Sequence, residues 1–149
     1  MRKLALVALV LAACNPFKEG SVAGRIESKG TAMGSWVLDK GSCYSGQREQ
    51  YFGAIAHGPE GSGVAIKLVK DSVKGWSAVV NVPDTCKKSA AECKAIVLTS
   101  NECTKLDIEI APTNTTINDI KVVEGRLSAD CSDPNGNSLK GELTFTYCH

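Results

Sequence analysis

The sequence has few of the side chains on which catalysis and metal binding most often depend. It contains only two histidines, His57 and His149, and no cysteine or histidine pair at the short spacing of a zinc site. A CxxC pair, a G-x-S-x-G elbow, a phosphate-binding glycine motif and an EF-hand spacing are all absent. We therefore expect no metal, no cofactor and no catalytic residue. The enzymatic alternative that remains is a hydrolase, which would require His57 or paired acidic residues converging in a cleft.

The chain also lacks an excess of either charge. Its 17 basic residues nearly balance 16 acidic ones, and no long run of like charges occurs. Nucleic-acid binding needs a basic patch or stripe to neutralise phosphates. The sequence therefore argues against nucleic acid as a partner.

Long apolar runs are missing too, apart from one at the start. Residues 4–13 are wholly apolar and follow two basic residues, Arg2 and Lys3. A membrane-spanning helix needs about 20 apolar residues, whereas a short apolar stretch behind a basic start is typical of a signal peptide. The stretch ends in Leu11-Ala12-Ala13-Cys14.

This ending resembles the lipobox of bacterial lipoprotein precursors, with Leu at position −3, small residues at −2 and −1, and then the cysteine. A plain secretory cleavage site would prefer a small residue in place of Leu11. The resemblance implies that residues 1–13 are a signal peptide, cut off before Cys14, and that Cys14 becomes acylated. Each buried methylene contributes about 0.8 kcal/mol, so two or three acyl chains anchor a protein firmly. By the enterobacterial sorting rule, Asn15 favours the outer over the inner membrane.

Six cysteines remain when Cys14 is set aside. An even number in an exported domain indicates three disulfides rather than metal or redox chemistry. Six cysteines allow fifteen connectivities, and the sequence does not decide between them. The six are Cys43, Cys86, Cys93, Cys103, Cys131 and Cys148.

Proximity in the sequence favours the pair Cys86–Cys93. A bond between Cys103 and Cys131 would tie two neighbouring strands, but Cys103 falls on the polar face of its strand and Cys131 on the apolar face. That pair therefore requires a β-bulge, which moves a side chain to the other face. Cys43 and Cys148 would then form the third bond.

Alternating apolar and polar residues dominate the chain beyond Ser35. A period of two predicts half-buried antiparallel strands, and turn sequences such as Asp133-Pro-Asn-Gly136 separate them. We predict an all-β antiparallel sandwich or small barrel of about eight strands, with at most one short helix at Ser89–Glu92. The strands are predicted at residues 35–40, 49–57, 63–71, 76–82, 94–99, 104–111, 121–132 and 138–148.

Three regions follow from these patterns. Residues 1–13 are a signal peptide, residues 14–34 are the lipid anchor and a short tether with room for one strand at 22–27, and residues 35–149 are a single disulfide-braced β domain. The six-cysteine pattern that ends in Cys148-His149 resembles uncharacterised lipoproteins of gliding and predatory bacteria such as myxobacteria. That resemblance implies no activity.

These features predict an anchored envelope protein without catalytic function, which has a structural role or binds an envelope protein or a glycan. Tyr44, Tyr51 and His57 are the candidate binding residues, because two tyrosines flank a polar stretch and the histidine adjoins a glycine-rich loop. The alternative is a periplasmic inhibitor of a lysozyme or protease, for which the loops at residues 57–63 and 81–93 could protrude. The hydrolase is the second alternative.

Overall fold

Strands form at all eight predicted places in the computed structural model, which describes residues 18–86 and 93–149. In these residues nine strands build one antiparallel sheet: β1 (Ser21–Lys29), β2 (Trp36–Ser45), β3 (Gly53–His57), β4 (Ala65–Asp71), β5 (Gly75–Asn81), β6 (Ala95–Leu98), β7 (Cys103–Ile117), β8 (Ile120–Ser132) and β9 (Ser138–Cys148). Two 3-10 turns, Gly46–Glu49 and Pro83–Thr85, are the only helical segments described. The all-β prediction is therefore confirmed.

The sheet has the strand order β6-β5-β4-β3-β2-β1-β9-β8-β7. Its two edge strands, β6 and β7, follow one another in the chain through residues 99–102, so the sheet curls back on itself. One face of every long strand points into a single core. The largest fully buried side chains are Phe145, Ile26, Met33, Leu38, Ile66, Leu68, Leu98, Leu127, Leu139, Leu143, Val80 and Val122.

The ninth strand, β1, is the one for which the sequence left room at residues 22–27. β1 lies within residues 14–34, yet it pairs with β2 on one side and β9 on the other and is a central strand. Its buried positions hold Val22, Ile26 and Ser28, of which only two are apolar side chains. A register shift against β2 between Ala23 and Ile26 also breaks the regular pairing. A strand with so few apolar side chains gives only a weak period-two pattern.

All three favoured disulfides are present, namely Cys43–Cys148, Cys86–Cys93 and Cys103–Cys131. The β-bulge that the Cys103–Cys131 pair requires is also present, in β7. Cys103 pairs with Cys131 but Lys105 pairs with Asp130, so Thr104 is the extra residue that turns Cys103 towards its partner.

The Cys43–Cys148 bond joins β2 and β9 just where β1 enters between them. The carbonyl oxygen of Gly20 accepts a 3.1 Å hydrogen bond from the Cys43 N–H. A Cβ at Gly20 would lie 2.8 Å from the Tyr147 carbonyl oxygen and 2.9 Å from the Cys148 Cα, closer than such atoms pack. Only glycine therefore fits at position 20, where the chain passes the disulfide.

Cys14 and the predicted helical turn at residues 89–92 lie outside the described residues. Among residues 18–86 and 93–149, no helix is long and apolar enough to cross a membrane.

Candidate binding cleft

Tyr44 and His57 lie side by side on the outer face of the sheet. Cys43 and Ala56, their neighbours in β2 and β3, point into the core, so alternation turns the two aromatic side chains outward. The ring centroids are 5.5 Å apart at an interplanar angle of 68°, an edge-to-face contact. The Arg48 guanidinium lies 5.1 Å from the centroid of the Tyr44 ring. Tyr44 is thus held in place while remaining 37% exposed.

Partial burial disfavours the charged form of the His57 imidazole. Burial lowers its pKa below the usual 6.5; the charge of Glu49 raises the pKa and that of Lys67 lowers it. Glu49 and Lys67 are themselves paired, with 2.5 Å between carboxylate oxygen and Nζ. The imidazole makes no hydrogen bond to a hydroxyl or carboxylate in the described chain. The serine or acid partner that the hydrolase alternative needs is not assembled there.

A row of outward residues across four strands forms the floor of a cleft. Ser42 pairs with His57, and His57 pairs with Ala65. The register of β4 with β5 then places Asn81 beside Ala65. Since Ala78 and Val80 point into the core, Asn81 points outward with the others.

Two loops wall this floor. Residues 58–64 connect β3 to β4 and are fixed by the Gly58 N–H to Val64 carbonyl bond of 2.9 Å and the Ser62 N–H to Pro59 carbonyl bond of 3.0 Å. The Cys86–Cys93 disulfide lies on the other side. The cleft has a volume of about 680 Å³ and is lined by Ser42, Tyr44, His57–Ala65, Asn81, Cys86 and Cys93. The loop at residues 57–63 and the described ends of the loop at residues 81–93 therefore line the same cleft.

Asn81 is the unusual residue of this cleft. It is 6% exposed and is one of four buried polar residues, with Ser28, Ser45 and Asn137. The other three make hydrogen bonds through their side chains. No hydrogen bond to the Asn81 amide is found within the described residues, although the amide lines the cleft. Since the Asn81 amide atoms are not among the fully buried ones left without a partner, the amide reaches solvent through the cleft and is open to a ligand there.

Tyr51 lies elsewhere. Its ring covers Gly46 and Gly53, where a Cβ would collide with the ring or lie 3.2 Å from it. Its hydroxyl is buried without a hydrogen-bond partner in the described chain, and burial raises its pKa. It borders a separate apolar hollow with Phe52, Pro112 and Val123. Of the three candidate binding residues, the fold brings together Tyr44 and His57 only.

The oxygen-rich turn before β9 is satisfied internally. The Asp133 carboxylate accepts hydrogen bonds from the backbone N–H groups of Asn135 and Asn137 and from the Asn137 amide, at 2.8 to 2.9 Å. In the described parts of the chain, no group of three or more His, Cys, Asp or Glu residues is placed to hold a metal ion.

Comparison with known proteins gives no relative. No family model matches the chain, and no curated protein and no solved structure matches it. The candidate function therefore rests on the sequence and on the cleft.

Proposed function

We propose that this chain is a lipid-anchored protein of the bacterial cell envelope whose β domain binds a ligand in the cleft and does no chemistry on it. The observation that carries the proposal is the Asn81 amide, which opens onto the cleft and has no hydrogen-bond partner in the described chain. The amide can therefore donate to and accept from a ligand that replaces the water of the cleft.

The anchor sets the place where binding happens. Six residues, 15–20, separate Cys14 from β1. Fully extended, they reach about 20 Å, at roughly 3.3–3.6 Å per residue. Ser42 and Tyr44 of the cleft also line a hollow with Glu19 and Gly20, so the chain leaves the domain next to the cleft. An acylated Cys14 would hold the cleft close to a bilayer, in the outer membrane if Asn15 acts as the enterobacterial rule has it.

The anchor is tested by Cys14→Ala in the full chain. We expect the variant to remain unprocessed or to leave the membrane fraction, and to lose incorporation of labelled palmitate, because the thiol that would take the first lipid is gone. The measurement is fractionation with palmitate labelling, and circular dichroism checks that the domain still folds. A Cys14→Ala chain that is cut at the same place and stays equally membrane-bound would show that the lipobox interpretation is wrong.

The proposed binding role of the cleft is tested by photocrosslinking in cells. A photoreactive residue at Ser62, on the cleft wall, is expected to trap one envelope component, and Asn81→Leu should reduce the yield at least fivefold. The same residue at Val73, which is 90% exposed and outside the cleft, is the matched control. Equal products from both positions, or none from Ser62, would contradict a binding role for the cleft.

An inhibitor is the second candidate. The loop at residues 58–64 is closed by its own hydrogen bonds, and its tip, Pro59-Glu60-Gly61, is exposed. A rigid exposed tip is what insertion into an enzyme cleft requires. A crosslink from Ser62 to a lysozyme or protease would favour this candidate over passive binding.

A further inference from the structure

We infer that the domain rests on the phospholipid surface with one end of its sheet, formed by residues 46–53, the β4–β5 turn at residues 71–75 and the β7–β8 turn at residues 117–120. We call this the tether end. The inference rests on the proposed acylation of Cys14 and is independent of any ligand in the cleft. It states which surface of the domain meets the lipid, which an anchor alone does not decide.

Strand pairing brings these segments together. β1 begins at Ser21, and β2, which runs antiparallel to it, ends at Ser45 on the same side. The alternation continues through the neighbouring strands, so β3 begins and β4 ends there, and so do β8 and β9 respectively. The Gln47 side chain joins two of the segments: it donates a 3.2 Å bond to the Asp119 carbonyl and accepts a 2.8 Å bond from the Lys121 N–H. They therefore form one surface.

The tether leaves the domain from this end. Residues 15–20 reach about 20 Å when extended, so an acylated Cys14 would keep Gly20 within that distance of the lipid. The far end of β1 is Lys29, which pairs with Ser138 beside the turn Asp133–Gly136. β1 has nine residues, which places that turn about 30 Å beyond Gly20 along the strand. The anchor therefore brings the tether end to the lipid and holds the far turn away from it.

Exposed apolar side chains lie at the tether end. Val73 is 90% exposed in the β4–β5 turn, and Phe52 is 43% exposed. The Phe52 carbonyl accepts a 3.0 Å hydrogen bond from the Lys70 N–H, which holds residue 52 against the start of that turn. Phe52 also borders the apolar hollow that Tyr51 lines. Apolar surface gains free energy when it leaves water, so these side chains favour contact with lipid.

Lysines accompany the apolar side chains. The Lys70 Nζ lies 5.9 Å from the centroid of the Phe52 ring and 5.7 Å from that of Trp76. Lys74 follows Val73 and is exposed. A lysine can lay its stem along apolar surface while its ammonium stays at the level of water and headgroups, where tryptophan rings also prefer to lie. The tether end thus has the side chains of a surface that meets a bilayer at its interface.

Charge at the tether end is nearly balanced. Residues 46–53, 70–75 and 117–121 contain four basic and three acidic side chains, which are Arg48, Lys70, Lys74 and Lys121 against Glu49, Asp71 and Asp119. Recruitment by anionic lipid uses clusters of roughly four to eight basic residues. Because acidic residues offset the basic ones here, we expect the contact to be apolar and to need no anionic lipid.

The test measures how close each end lies to the lipid. The full acylated chain, purified from membranes, is reconstituted into phosphatidylcholine vesicles that contain a spin-labelled quenching lipid, with and without phosphatidylglycerol. Ser72→Cys accepts a fluorescent label beside Val73, and Asn135→Cys accepts it in the exposed turn at the far end. The six cysteines of the domain are in disulfides, so the label reacts with the new thiol. We expect at least threefold stronger quenching at position 72 than at position 135, in both kinds of vesicle and at high salt.

Val73→Asp should reduce the quenching at position 72 at least twofold, because a carboxylate resists transfer out of water. Val97→Asp replaces another exposed valine, on β6, and should leave the quenching unchanged. Thermal unfolding checks that both variants fold. In cells, a photoreactive residue at Val73 should trap phospholipid, a product different from the one trapped at Ser62.

Equal quenching at positions 72 and 135 in an acylated chain overturns the inference and leaves the anchor standing. Quenching that requires phosphatidylglycerol and is lost at high salt overturns the apolar contact. A protein trapped from Val73 in place of phospholipid shows that a partner covers this end. A chain that carries no lipid at Cys14 contradicts the inference and the proposed anchor together.

Discussion

Replacing both cysteines of the Cys43–Cys148 disulfide by alanine is expected to lower the free energy of unfolding by about 4–5 kcal/mol. The two residues are 105 positions apart in the chain. A crosslink that closes a loop of about 100 residues removes roughly 4.7 kcal/mol of chain entropy from the unfolded state in the loop-closure model. Both residues are fully buried, so the alanines also leave unfilled space in the core. For a domain of this size, such a loss approaches the whole stability.

The double variant Cys86→Ala/Cys93→Ala is the matched control. Its cysteines are only seven positions apart and lie in the cleft wall, so the same model predicts a loss of about 2–3 kcal/mol. Urea unfolding under oxidising conditions, followed by far-UV circular dichroism, measures both. If the two double variants lose equal stability, then the long crosslink between β2 and β9 does not brace the fold as we argue.

Much of this fold could be read from side-chain alternation. The strands with three or more apolar residues on one face were all predicted, because burial of that face imposes the period of two. The Cys103–Cys131 pair was predicted together with its bulge, since the two cysteines belong to opposite faces of regular strands. The strand β1 was only weakly indicated, because it is stabilised by its two neighbours rather than by its own apolar residues.

Only part of the candidate cleft could be read from the sequence. Exposure and chemistry identified Tyr44 and His57, but the partners of His57 depend on strand register, which turn geometry and distant strands decide. Asn81 lies 24 positions further along the chain than His57, and only the pairing through β4 brings it to the same floor. In sequence, Asn81 looks like any polar residue on the outer face of a strand. In the sequence, Tyr51 looks equivalent to Tyr44. In the structure, the 3-10 turn at Gly46–Glu49 lies between the two tyrosines, and Tyr51 lies on another surface.

The proposed lipid anchor and the proposed binding cleft also constrain each other. The chain enters the sheet at Gly20, beside the Cys43–Cys148 bond and next to Tyr44. A short tether ending there would leave the domain little freedom to carry the cleft away from the lipid surface. The ligand of an anchored protein must then be present near the membrane, as a glycan chain or an envelope protein would be.

Asn137→Ala is expected to cost about 2–4 kcal/mol of unfolding free energy. The Asn137 side chain is 1% exposed and joins two loops. Its oxygen accepts hydrogen bonds from the backbone N–H groups of Ala32, at 3.1 Å, and Met33, at 3.0 Å, and its NH₂ donates to Asp133 at 2.8 Å. Alanine would leave both N–H groups without that acceptor. The Met33 N–H is buried, and an unsatisfied buried group costs about 1–3 kcal/mol, while the part-buried Ala32 N–H adds less. Urea unfolding measures the loss.

Asn135→Ala is the control, because Asn135 is in the same turn but has an exposed side chain, and its backbone N–H bond to Asp133 survives the change.

The pKa of Asp133 is a second measurement that distinguishes Asn137→Ala from Asn135→Ala. Hydrogen bonds, first of all the one from the Asn137 side chain, hold the pKa of Asp133 below its usual 3.8. That pKa should rise towards 3.8 in Asn137→Ala and stay low in Asn135→Ala, as followed by NMR of the carboxyl carbon. Stability from Asp133 is present above pH 3.8 and is lost as the pH falls through the lowered pKa, so Asn137→Ala should weaken this acid dependence. Equal losses in the two variants, or an unchanged Asp133 pKa in Asn137→Ala, would show that the Asn137 amide does not hold the loops together.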